Sequence, residues 1–229
     1  MSGMSVGELP RTYRVIGAEE AETRYGVSAD VQYPYRSHTE EQEVRLYAGD
    51  VHVADDLDVD PWVGDQLCPY HVIIDGDLTV DGDLSYFCDE GLGYFHLVTG
   101  GLRARNLFLR GFPDVVVRGG LAVARGIVGD RGDDGGFLTV RGATSAQLIL
   151  NTVYFTMSFG ARPQAVIVAD RSHTNCDVDF ADDDLTDVLL PQYLNEDRRA
   201  QVDLITQALR CGQPVLLPAA AAGAAADSR

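Results

Sequence analysis

Val72-Ile-Ile-Asp-Gly-Asp-Leu-Thr-Val-Asp-Gly-Asp-Leu84 sets short apolar runs on either side of glycine–aspartate pairs, and this phrase returns along the chain. Clear copies are Leu97-Val-Thr-Gly-Gly-Leu-Arg-Ala104, Val115-Val-Val-Arg-Gly-Gly-Leu-Ala-Val123 and Leu138-Thr-Val-Arg-Gly-Ala-Thr-Ser-Ala146. A looser copy, Arg45-Leu-Tyr-Ala-Gly-Asp-Val-His-Val53, precedes them, and a degenerate one, Val166-Ile-Val-Ala-Asp-Arg171, follows. The residue two places before the shared glycine is Tyr47, Ile74, Val98, Val117 or Val140, at spacings of 27, 24, 19 and 23. Self-similarity at such periods is the mark of a repeat architecture.

Within each copy, apolar and other residues alternate. Ile74, Leu78 and Val80 share one face, as do Val98, Leu102 and Ala104, then Val117, Leu121 and Val123. Asp75, Thr79, Asp81, Arg103 and Arg105 fall on the other. Period two is the rhythm of a strand with one buried face. A second apolar cluster follows each reference residue by about ten positions: Leu57 with Val59, Leu84, Leu107 with Leu109, Ile127, and Leu148 with Leu150. One such unit cannot bury its own apolar face, but stacked units share a continuous core.

The expected fold is therefore mainly β: a single-stranded β-solenoid (β-helix) of about five to six coils. An antiparallel sandwich gives no reason for one phrase to recur in register. A hexapeptide helix would keep a strict six-residue rhythm, which these spacings do not. Extra residues belong in outer loops, as between Cys88 and His96 and between Asp130 and Gly136. Residues 1–43 read as an N-terminal cap, with a strand over 13–16 and a helix over 18–25. The solenoid spans 44–190. Residues 191–218 read as a C-terminal cap, with Asn195 at the start of a helix running to about Arg210 and Gly212 ending it. The alanine-rich stretch 219–229 reads as a mobile tail.

Lys plus Arg total 18, all of them arginine, against 35 Asp plus Glu, for a net charge of −17. The distribution is uneven. Residues 40–90 carry fifteen acids and one base, Arg45, whereas 102–141 are arginine-rich. In a stacked fold these blocks become bands along the axis. A strongly negative surface repels nucleic acid and anionic membranes and speeds encounter with basic proteins. The first ten residues lack a basic stretch followed by an apolar one, and no apolar run approaches the roughly 20 residues of a membrane span. Four cysteines in this length do not suggest a disulfide framework. A cytoplasmic protein with reduced thiols is expected.

The phrase Ile74-Asp-Gly-Asp-Leu-Thr-Val-Asp-Gly-Asp-Leu84 resembles the repeats of bactofilins, the bacterial polymer-forming cytoskeletal β-helices. It is also similar to bacterial solenoids found among toxin-neutralising, immunity-type proteins. The resemblance spans about residues 44–170 and implies a β-helix. Bactofilin cores are more evenly spaced and their flanks short, whereas a folded C-terminal helix here would obstruct end-to-end polymerisation.

Catalytic and cofactor motifs are missing from the sequence: there is no GxSxG elbow, Walker loop or GxGxxG at a strand–helix junction. Cys68-Pro-Tyr-His71 and His173-Thr-Asn-Cys176 have a two-residue gap suited to zinc, but no further pair reinforces them. Neither metal nor cofactor is assigned. Asp56-Leu-Asp-Val-Asp60 lacks the glycine and glutamate of a calcium-binding EF-hand loop. The expected function is non-enzymatic binding of a basic protein partner. Asp75, Asp77, Asp81, Asp83, Arg103 and Arg105 would form the docking surface, and Tyr86, Tyr94 and the neighbouring loop aromatics Tyr70, Phe87 and Phe95 would either act as anchors or pack beneath their own loop. An immunity protein covering a basic toxin is the specific form. The alternatives are a self-associating bactofilin-like scaffold and a carbohydrate-active enzyme using the same carboxylates as acid and base.

Overall fold

The computed structural model describes residues 6–7, 9–31, 43–59, 62–63, 66–67, 70–88, 94–130, 136–152, 155–169, 177–178 and 185–221. It is a β-solenoid with three strand positions per coil, and the ladders between coils are parallel. The first face holds Glu43–Ala48, Tyr70–Asp75, Tyr94–Val98, Pro113–Val117, Phe137–Val140, Thr156–Phe159 and Asp177–Val178. A narrow second face holds Val51–Val53, Leu78–Val80, Leu102–Ala104, Leu121–Val123 and the starts of Thr144–Asn151 and Gln164–Ala169. The third holds Asp56–Val59, Asp83–Cys88, Asn106–Gly111, Gly126–Asp130 and the rest of Thr144–Asn151 and of Gln164–Ala169.

The repeat predicts the register. Tyr47 pairs with Ile74, Ile74 with Val98, Val98 with Val117, Val117 with Val140, and Val140 with Phe159. All six side chains are buried in one interior cluster. Leu57, Leu84, Leu107, Ile127, Ile149 and Ile167 form the matching column on the third face. Each fully buried aliphatic side chain contributes roughly 1.5–3 kcal/mol, so the columns are the main source of stability.

The fifth coil departs from the expected pattern. A register shift between Ser145 and Leu148 turns Ile149 inward, and Leu148 and Leu150 face out. A one-residue slip exchanges the two faces of a strand. Unbroken apolar runs such as Val115-Val116-Val117 and Leu107-Phe108-Leu109 have a related cause: both sides of these strands are covered. Ile73, Phe95, Leu97 and Val116 point outward into a second core under the N-terminal segment. Phe108, Val128, Leu148, Leu150, Val166 and Val168 point into a third under the C-terminal segment.

The C-terminal segment therefore lies along the side of the stack, whereas the N-terminal segment covers another side and also adds strands to the edges of the first coil. The N-terminal strand Arg14–Ile16 pairs antiparallel with Glu43–Ala48, and helix α1 (Ala18–Tyr25) follows, as expected from the sequence. Val6–Gly7 pairs with Asp56 and Leu57. The C-terminal segment contains α2 (Leu185–Val188) and α3 (Val202–Arg210). α3 starts later than expected because Asn195 closes a turn instead: its Oδ1 accepts the Arg199 N–H at 2.9 Å, and Leu194 bridges Ala200. α3 lies against the flank of the third face, where Leu209 covers Gly126, and not across the terminal coil. Gly212 ends it with φ of +71°, a left-handed conformation that favours glycine. Among the described residues, no helix is long and apolar enough to cross a membrane.

Candidate functional site

The corners between the first and narrow faces are built on the shared glycine, followed by aspartate in the first two coils and by Gly101, Gly120 or Ala143 in the next three. A β-carbon on Gly76, Gly100, Gly119 or Gly142 would lie 2.5–2.7 Å from backbone atoms of the preceding coil, so close approach of coils is the reason for glycine. The following aspartate bonds upward through the stack: Asp50 Oδ1 accepts the Asp77 N–H at 2.9 Å, and Asp77 Oδ1 accepts the Gly101 N–H at 2.7 Å. These corners hold Asp50 and Asp77 at one margin of the narrow face. Asp55 and Asp81 hold the other, and His52 and Thr79 lie between, paired in the strand ladder. All four aspartates are exposed. His52 Nε2 stands 3.0 Å from Asp81, and among the described residues no arginine pairs with any of the four.

The outward column of the narrow face continues as His52, Thr79, Arg103, Ala122, Ser145 and Gln164. From Asp77 to Gln164 it floors a shallow groove of about 600 Å³. Arg103 is exposed in it, and among the described residues no acid pairs with it. The acidic block of the sequence thus lies over the first two coils of this face, with Arg103 on the next.

The other expected docking residues have internal work. Asp83 is 1% exposed, and its Oδ1 accepts from Arg105 Nε at 2.7 Å and Asn106 Nδ2 at 2.8 Å. Arg105 also reaches Asp56 Oδ1 at 3.0 Å, and the Asp56 oxygen accepts the Asp83 N–H at 2.8 Å. The bond from Asp83 raises the Arg105 pKa above its ordinary value against the opposing effect of burial. Asp75 is half-buried and accepts from Tyr25 Oη at 2.9 Å, which ties α1 to the stack. Asp30 completes that attachment: Arg118 approaches it at 2.7 Å and Arg141 at 2.7 Å. Burial pushes the Asp30 carboxyl up, but the Arg141 and Arg118 guanidiniums outweigh it, and the net shift is downward.

Tyr86 and Tyr94, expected as loop anchors, are strand residues, each 1% exposed in the interior core. Tyr86 Oη hydrogen-bonds His96 Nδ1, and Tyr94 donates to the Val59 carbonyl at 3.2 Å. Burial drives the His96 pKa down to about 3. Phe95 is fully buried beneath the N-terminal segment, stacked on His71 at 4.4 Å. Of the four zinc-spaced residues, Cys68, His173 and Cys176 lie outside the described residues. His71 is fully buried and accepts the Phe95 N–H at 3.1 Å. The loops 89–93 and 131–135 also lie outside the described residues. Among the described residues no three His, Cys, Asp or Glu side chains are grouped to hold a metal.

Of the eleven residues expected to meet a partner, Asp77, Asp81 and Arg103 stand together on the exposed narrow face. Asp50, Asp55 and His52 join them. The looser first repeat, Gly49-Asp50, carries that signal, since it aligns with Gly76-Asp77. Comparison with protein-family models, with curated proteins and with solved structures returns no match.

Proposed function

We propose that the chain is a non-catalytic binding module that docks a basic protein through the acidic margins of its narrow face. The observation that carries this reading is the group Asp50, Asp55, Asp77 and Asp81, four exposed carboxylates on two adjacent coils with no arginine among them. Such a patch raises the rate of encounter with a cationic partner and repels acidic ones. Rigid strand corners hold it, so little ordering cost accompanies binding. Neutralisation of a basic toxin is the specific form consistent with the immunity-type resemblance. The scaffold reading has less support, because Arg14–Ile16 and Val6–Gly7 already occupy strand edges of the first coil.

The test is capture from source-cell extract with wild type and with Asp50→Asn/Asp77→Asn/Asp81→Asn. At positions 50 and 77 asparagine keeps the oxygen that accepts the neighbouring coil's N–H. A discrete basic protein should bind wild type, lose at least tenfold in affinity with the variant, and weaken steeply from about 50 to 300 mM salt. Identical, salt-insensitive binding by both forms would contradict the proposal. Filaments by electron microscopy in ordinary buffer would favour the scaffold.

A further inference from the structure

A cleft of about 290 Å³ lies away from the acidic margins, where α3 leans over the outer side of the third face. Phe108 and Val128 floor it, and Phe87 forms a wall while remaining 43% exposed. Two arginines flank it. The Arg210 guanidinium lies 5.0 Å from the Phe108 ring centre and donates from Nη2 to Ser85 Oγ at 2.9 Å. Among the described residues no carboxylate lies within ion-pair distance of Arg210. Arg110 lies 5.4 Å from the Phe87 ring and meets its acids only at long range, Asp203 at 3.5 Å and Asp130 at 3.9 Å.

Among the described residues Arg24, Arg45, Arg110 and Arg210 sit over rings, and of these Arg210 alone has no carboxylate partner. From this we propose that the cleft binds a small aromatic carboxylate. Ring faces fix the guanidinium planes, and the free edge of a guanidinium suits a carboxylate in two-point contact. Exposed Phe87 supplies a face for the ligand's ring, and the edges of Phe108 and Val128 an apolar floor. The volume stands at the lower limit of small-molecule sites, roughly 300 Å³, which suits a one-ring acid. Asp58, Asp130 and Asp203 line the same cleft and disfavour a multiply charged ligand such as a nucleotide. The inference is independent of protein docking, which uses another face.

Calorimetric titration with 3-phenylpropionate, its neutral amide and inorganic phosphate tests it. The acid should saturate one site, with the amide and phosphate at least tenfold weaker. Arg210→Gln, which removes the guanidinium but keeps a polar amide on α3, should weaken the acid at least tenfold, and Asp203→Asn should tighten it. Thr206→Phe fills the cleft from α3 and should abolish binding even if Arg210→Gln fails to fold. Binding of the acid weaker than about 1 mM, equal binding of acid and amide, or wild-type affinity in Thr206→Phe would each overturn the proposal.

Discussion

A β-carbon on Gly119 would stand 2.6 Å from the carbonyl carbon of Gly100, the corner residue of the coil before it. Backbone, not a flexible side-chain tip, is what it would strike. Gly119→Ala should therefore destabilise the fold by about 1–3 kcal/mol through overpacking, read as a lower midpoint in urea unfolding. Gly17→Ala, with nothing within 4 Å, is the control and should cost distinctly less.

Arg105 neutralises a carboxylate, Asp83, that is otherwise sealed in the stack. Arg105→Ala should cost about 3 kcal/mol, because breaking a buried pair leaves a charge without compensation. Adding Asp83→Asn to that variant should recover part of the loss. A double-mutant cycle from denaturation curves measures the coupling.

His96 sets an acid limit on stability. In the unfolded chain its ring takes up a proton near pH 6.5, but buried beside Tyr86 it resists down to about 3. Between these values the unfolded state binds more protons, so stability is complete above about 6.5 and falls with decreasing pH until about 3. The expected slope is on the order of 1 kcal/mol per pH unit. Urea unfolding at pH 7 and pH 5 should show it, and His96→Leu should flatten it over that interval.

Asp30 holds the N-terminal segment to two coils at once through Arg118 and Arg141. Asp30→Asn should loosen that segment more than it weakens the stack. Hydrogen exchange should rise in 14–31 while the interior strands stay protected.

The interior of the solenoid was legible because its signal is periodic. A shared glycine and alternating apolar residues give the register from Tyr47 to Val140 without reference to anything outside the repeat. The outer sides were harder to read. Nothing local distinguishes an apolar residue covered by a distant helix, as Phe108 is, from one facing the core. The acids of 75–83 posed the same difficulty. Asp77, Asp81 and Asp83 alternate identically in sequence, yet the third meets Arg105 and Asn106 from the next coil. Tyr86 and Tyr94 read as loop residues beside the insertion between Cys88 and His96, yet strand alternation places them with the inward positions Leu84 and Val98.

The stacking, and the acidic patch built on it, depends on the ladder from His52 to Gln164 along the narrow face. Nitroxide labels on His52→Cys and Gln164→Cys, in a background with the four native cysteines replaced, measure it by pulsed electron paramagnetic resonance. Five steps of about 4.8 Å place these positions about 24 Å apart, and a single narrow distribution near that value is predicted. A broad distribution, or one centred well beyond 40 Å, would contradict the stack and the acidic docking surface built on it.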